Sequence, residues 1–164
     1  WNNKKKINIY KFKKNISQLT SKYDFCFKPK QGYMPIAKEH VISNNFFIKK
    51  GFNKIKIKAF EVQHGLIKAT AYVVDKIAYL SDCSHIPNQS KEFLNNLDVL
   101  IVDCLRYKHH PGHFNLDAAI NLSMELKPKK TILTNLHVEL DYNHLKKKLP
   151  LNIIPAFDGL NFNF

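Results

Sequence analysis

From Ile55 onward, short apolar runs alternate with amphipathic polar stretches, and this alternation limits what the chain can fold into. IKIKAF switches apolar and polar with period two, the pattern of a half-buried strand. TAYVV and IAYL are separated only by Asp75-Lys76, which predicts a hairpin. SKEFLNNL predicts a short helix, and VLIVDC, a continuous apolar run, a strand covered on both faces. After the polar loop RYKHHPGH, a helix is predicted from Leu116 to about Lys127, with Asn115 as N-cap and Pro128 as stop. TILTN then reads as a strand, YNHLKKKL as a short helix, and NIIPAF as a last strand before an Asp158-Gly159 turn. A mostly antiparallel middle followed by strand–helix alternation predicts a layered, mixed α/β sandwich. The first 50 residues are less regular: a strand at INIY, a helix near Ile16 to Lys22, and a long irregular stretch.

No internal repeat or Gly/Ser linker divides the 164 residues, so residues 1–164 read as one domain, large enough to bury a core. No run of 18 apolar residues suggests a membrane span, and WNNKKKINIY lacks the apolar stretch of a signal peptide. The only methionines are Met34 and Met124, so the true start of translation is expected to lie out of view, through processing, trimming or a broken reading frame. Cys26, Cys83 and Cys104 lie far apart without a CxxC pair, which argues for reduced, buried thiols in a cytoplasmic protein. The net charge of +13 points to anionic partners. Yet all the basic residues but one are Lys, scattered over Lys4 to Lys6, Lys127 to Lys130 and Lys146 to Lys148. That is the composition of an AT-rich coding sequence, and it ranks nucleic acid below a small substrate as partner.

Four features fall at element ends, where sites are usually built. His64 closes FEVQHG, and Asp82 follows the strand IAYL in LSDCSHIP. His113 stands at the loop-to-helix junction HHPGHFNLDAA, and Asn135 and His137 lie past a strand end in LTNLHVELDY. Imidazoles and a carboxylate suit Zn or Mn, and two such ions can share a water and clamp a phosphoryl group. A His beside a helix N-terminus joins a proton donor to backbone N–H groups, a natural seat for a phosphate oxygen. Singly, each has a plainer reading. Any one His can be solvated, and Asp82 can be the Asx turn that ends a strand.

Taken in order, FEVQHG, TAYVV, IAYLSDCSHIP, LDVLIVDCLR, GHFNLDAAINLSMELKPKKTILTNLHVELDY and AFDGL resemble the C-terminal part of the phosphoribosyl cyclic phosphate phosphodiesterase family. That family belongs to the metallo-β-lactamase superfamily and is related to the tRNA-processing endonuclease RNase Z. INIYKFKKNISQLTSKYDFCF and GYMPIAKEHVI extend the resemblance over nearly the whole chain. It implies an incomplete metallo-β-lactamase-type αββα sandwich and a phosphodiester hydrolase carrying two divalent ions, Zn or Mn. His64 matches the family's third-motif ligand, Asp82 the bridging carboxylate, and His113 the His that serves the phosphate or leaving group. Where family members often read Leu-Thr-His this chain has Asn135, so the last ligand passes to His137, two residues on. Asn135 is placed on the substrate side. Arg106, the single arginine, stands beside the site and is assigned either to substrate or to fixing Asp103 or a loop carbonyl.

The superfamily's HxHxDH motif occurs nowhere in these 164 residues, and the family places it upstream of Trp1. The expectation is half a site: a chain inactive alone, whose partners are a small phosphodiester substrate and the missing N-terminal segment, with no membrane. The alternatives are an RNase Z-like nuclease, disfavoured because no arm is inserted between Asp82 and Asp103, and a non-catalytic remnant of a split gene.

Overall fold

Parallel strands need a long crossover between them, and this chain provides several. The computed structural model describes residues 5–30 and 32–163; the charged start, Trp1 to Lys4, lies outside them. Two compact units divide the chain, residues 1–46 and 47–164.

In the first unit, β1 (Ile7–Phe12) pairs in parallel with β2 (Ala37–Ile42), from Ile7 opposite Ala37 to Phe12 opposite Ile42. Helices α1 (Lys13–Lys22) and α2 (Asp24–Phe27) make the crossover. The stretch expected to be irregular therefore contains β2 and also the start of β3 (Asn45–Lys50). AKEHVI carries no local strand signal, because its partner lies 30 residues back and no turn announces the pairing.

The second unit is built on a seven-stranded mixed sheet in the order β3-β4-β5-β6-β7-β8-β9. IKIKAF and FEVQH form one strand, β4 (Asn53–His64), paired antiparallel with β5 (Ile67–Val74). Gly65, at φ 58°, takes the first place of the two-residue turn between them, where a side chain would be strained. The hairpin expected at Asp75-Lys76 joins β5 to β6 (Ile77–Leu80). From β6 onward every pairing is parallel, through β7 (Val99–Asp103), β8 (Lys130–Thr134) and β9 (Ile153–Pro155). The crossovers carry α3 (Asn88–Lys91) with a 3-10 turn at Glu92–Leu94, α4 (Leu116–Leu126) and α5 (Tyr142–Lys148). These are the mixed sheet and flanking helices of a metallo-β-lactamase-type fold. No helix among the described residues is long and apolar enough to cross a membrane.

One buried cluster fastens the helices to this sheet. Phe60, Val62, Leu100, Val102 and Leu133 come from the strands, Leu94, Ala119, Leu122 and Leu145 from the helical connections. Phe60 stacks on Phe93 with ring centroids 5.0 Å apart. Buried polar atoms are paired inside it, as the Ser123 and Thr131 hydroxyls are at 2.7 Å. Helix α4 starts where the sequence places it: Asn115 accepts from the Ala118 N–H at 3.0 Å. It ends on Lys127 in the left-handed conformation (φ 48°), just before Pro128.

Asn115 also donates to the Tyr107 carbonyl at 3.1 Å, so one side chain caps the helix and ties the loop before it. Asn115→Ala is expected to cost about 1–2 kcal/mol, seen in thermal unfolding as a fall of roughly 2–4 °C per kcal/mol for a domain of this size.

Candidate metal centre

The carboxyl ends of the parallel strands lie side by side: Leu80 opposite Val102, and Asp103 opposite Thr134. The segments that leave those ends carry the candidate residues to one place. Ligand atoms of His64, Asp82 and His113 all lie within 4.8 Å of one another. His64 is the last residue of β4, Asp82 is exposed just past β6, and His113 sits two residues before the α4 N-cap.

Asp82 (φ 52°) and Asn135 (φ 60°) both adopt left-handed backbone just past a strand end. Asp and Asn tolerate that region better than other side-chain-bearing residues. Backbone bonds then stitch the segments together. Gln63 N–H donates to the His85 carbonyl at 2.9 Å and Ser84 N–H to the Gln63 carbonyl at 2.8 Å. Phe114 N–H reaches the Cys83 carbonyl at 2.7 Å, and His137 N–H the Leu105 carbonyl at 2.9 Å.

Behind the cluster lies Asp103, wholly buried. Its Oδ2 accepts from the His113 Nδ1 at 2.6 Å and the Cys83 N–H at 2.9 Å. Its Oδ1 accepts from the Asn135 side-chain amide at 3.2 Å. Burial pushes the Asp103 carboxyl above its ordinary range, while the bonds from Cys83, His113 and Asn135 pull the other way. Because a carboxylate accepts, His113 carries its proton on Nδ1 and presents the Nε2 lone pair. His64 is oriented in the same way, its Nδ1 donating to the Gly112 carbonyl at 2.6 Å. An imidazole whose Nδ1–H is held by a carboxylate or carbonyl is the usual arrangement of a metal-binding histidine.

Several expectations take a different form. His137, expected as the last ligand, is exposed on the segment after β8, where its Nδ1 faces the Glu139 N–H at 3.4 Å; it is not in the cluster. Its neighbour Asn135 turns inward onto Asp103 and the Ser81 hydroxyl. Positions two apart share a side only in extended backbone, and the left-handed turn at Asn135 separates them. At the α4 N-terminus the Leu116 N–H is taken by the Arg106 carbonyl and the Ala118 N–H by Asn115, so two donors expected to serve a phosphate are already paired. Arg106 donates from Nε to the Lys108 carbonyl at 3.2 Å and from Nη2 to the His109 carbonyl at 2.8 Å, and not to Asp103. His110 accepts from the Gly112 N–H at 3.1 Å; partial desolvation, then the charges of Arg106, His113 and His64, hold its imidazole below the ordinary value. Cys83 and Cys104 are buried thiols pushed up to about 12, chiefly by desolvation, and so are poor ligands.

Two residues central to this geometry were not singled out by sequence. Asp103 closes the apolar run VLIVD, and a lone carboxylate ending a strand buried at four of its five residues is a signal that could have found it. Gly112 is buried, and a Cβ there would lie 3.1 Å from the His64 Cε1 and 3.2 Å from its Nδ1.

Replacing the Asp103 carboxylate by an amide sets an NH₂ group against one of its donors. Asp103→Asn is therefore expected to cost about 1–3 kcal/mol in denaturant unfolding. It should also weaken Zn²⁺ binding about 10–100-fold, measured by competition with a chromophoric chelator.

A search of curated proteins finds no match. Among solved structures, the chain is similar to a diphosphatase from the PhnP family at 29% identity and TM-score 0.80, covering 95% of this chain and 57% of that one. It is similar to the metallo-beta-lactamase fold protein YhfI from Bacillus subtilis at 19% identity and TM-score 0.66, covering 91% of this chain and 61% of that one. A third likeness is to the short form of human tRNase Z, at 17% identity and TM-score 0.56, covering 94% of this chain and 66% of that one. The last two likenesses show the fold alone. The chain thus spans less than two thirds of the length of each. Residues 2–135 match the family model for the beta-lactamase superfamily domain, and the chain belongs to that family.

Proposed function

We propose that this chain carries part of the active site of a divalent-cation-dependent phosphodiester hydrolase, with His64, Asp82 and His113 as cation donors. The observation that carries the reading is the convergence of these three donor atoms with both imidazoles held through Nδ1. Two imidazoles and one carboxylate suit Zn or Mn, and three protein donors leave a position open for substrate or water, as in catalytic zinc sites. A cation held there would supply Lewis acidity toward a phosphoryl oxygen and lower the pKa of a nearby water.

The protein's own groups prepare that position. Asp103 keeps the His113 ring in one tautomer, and the Gly112 carbonyl does the same for His64. Asn135 and the Cys83 N–H hold both oxygens of Asp103, so the carboxylate stays an acceptor and does not turn away from His113. A second cation needs further donors; the described residues gather no other group of three, and HxHxDH is absent from the sequence.

The phosphodiester class is supported by the ordered sequence blocks and by the likeness to a PhnP-family diphosphatase. A small substrate, cyclic or nucleotide-like, is favoured over a folded RNA. Between Asp82 and Asp103 the chain forms only α3, the 3-10 turn and β7, with no arm to grip a polynucleotide.

Two measurements test this. His113→Ala should weaken Zn²⁺ or Mn²⁺ binding by more than about 100-fold, beyond the range of outer partners, whereas His137→Ala should leave it unchanged. The reverse order would return His137 to the ligand set and His113 to proton donation. In the second, bound metal and hydrolysis of bis-p-nitrophenyl phosphate are compared for the 164-residue chain with and without a polypeptide carrying the HxHxDH region. Three donors predict weak binding and no turnover by the chain alone. Stoichiometric metal and turnover without the added polypeptide would overturn that account.

A further inference from the structure

We propose that Arg106 is a positioning residue for His64: it holds the 106–113 loop in the conformation that presents the Gly112 carbonyl to the imidazole. The proposal rests on the reading of His64 as a cation donor and gives the only arginine of the chain a role within it.

The path from guanidinium to imidazole is continuous. Arg106 spans two successive carbonyls of its own loop, with Nε on Lys108 at 3.2 Å and Nη2 on His109 at 2.8 Å. His110 follows directly, and its Nδ1 accepts from the Gly112 N–H at 3.1 Å. The Gly112 carbonyl accepts from the His64 Nδ1 at 2.6 Å. The base of the loop is fixed independently. Leu116 N–H donates to the Arg106 carbonyl at 3.0 Å, Asn115 to the Tyr107 carbonyl at 3.1 Å, and Tyr107 N–H to the Glu139 carboxylate at 3.0 Å. What this base does not fix is the tip, residues 108 to 112, and there the Arg106 side chain holds the Lys108 and His109 carbonyls while His110 holds the Gly112 N–H.

The fit is also close. A Cβ at position 112 would stand 3.1 Å from the His64 ring and 3.5 Å from the His110 ring, so small shifts of this backbone act directly on both. A planar fork holds two neighbouring carbonyls at a fixed separation in one plane; an ammonium, whose three donors radiate from one atom on a flexible stem, does not impose that spacing. This accounts for an arginine at 106 in a chain whose other basic residues are all lysine.

The test is made on the metal-free chain and then with Zn²⁺ alone. Long-range ¹H–¹⁵N spectra of wild type should show His64 as a single Nδ1–H tautomer. In Arg106→Lys and Arg106→Gln, His64 should become a mixture of tautomers and Zn²⁺ binding should fall about 10–100-fold. Gly112→Ala should reproduce both effects with Arg106 intact. Unchanged tautomer and Zn²⁺ affinity, with weaker binding of inorganic phosphate to the Zn²⁺-loaded protein, would make Arg106 a substrate residue and overturn the proposal. Should the variants not fold, the wild type still decides: an Arg106 Nε–H in rapid exchange with water would contradict the loop clamp, and a protected one supports it. Failure of wild type to bind Zn²⁺ would refute the cation reading, while the tautomer comparison would still decide the role of Arg106.

Discussion

A single buried carboxylate holds this site together. Asp103 ends a strand whose neighbours on both sides run parallel to it, so its side chain emerges where three connecting segments leave the sheet. Each contributes one donor to it: Cys83 from the segment after β6, Asn135 from the one after β8, and His113 from the loop after β7 itself. Leaving a carboxylate unpaired in such a place would cost several kcal/mol. The three donors tie the segments to one another at the sheet end, and Asp82 is placed by its neighbour Cys83.

The sheet explains why the segments meet. Parallel strands send their connections out at the same end, and sites in open α/β sheets gather there. Here β6, β7 and β8 provide that end, and β4 reaches it from the antiparallel side through its hairpin with β5. The His64 ring comes from the end of β4 and the His113 ring from the loop after β7, and the two meet edge to face with centroids 4.7 Å apart. With each Nδ1 fixed by a separate acceptor, each ring keeps its Nε2 lone pair for another partner.

Loop 106–113 contributes in a different way. Besides His113 it supplies the Gly112 carbonyl to His64, and its tip is held by short-range bonds among its own residues. Such a loop is braced from within without being buried in the core. Sites placed on loops gain geometry only when the loop is fixed from within or by its scaffold.

The sequence by itself determined the elements and the neighbourhood. Period-two alternation marked β4, the Asp75-Lys76 turn marked the β5–β6 hairpin, and Asn115 with Pro128 bounded α4, because each of these signals is local in the chain. His64, Asp82 and His113 were legible as candidates because they stand at the ends of such elements. What only the tertiary structure decided is long-range. The pairing of β1 with β2 across 30 residues, the choice of His113 over His137 for the cluster, and the inward turn of Asn135 all depend on contacts between residues far apart in the chain. Asp103 shows the reason most plainly. In sequence it is the last residue of an apolar run; its three donors come from positions 20, 10 and 32 residues away, and no pattern local to it encodes them.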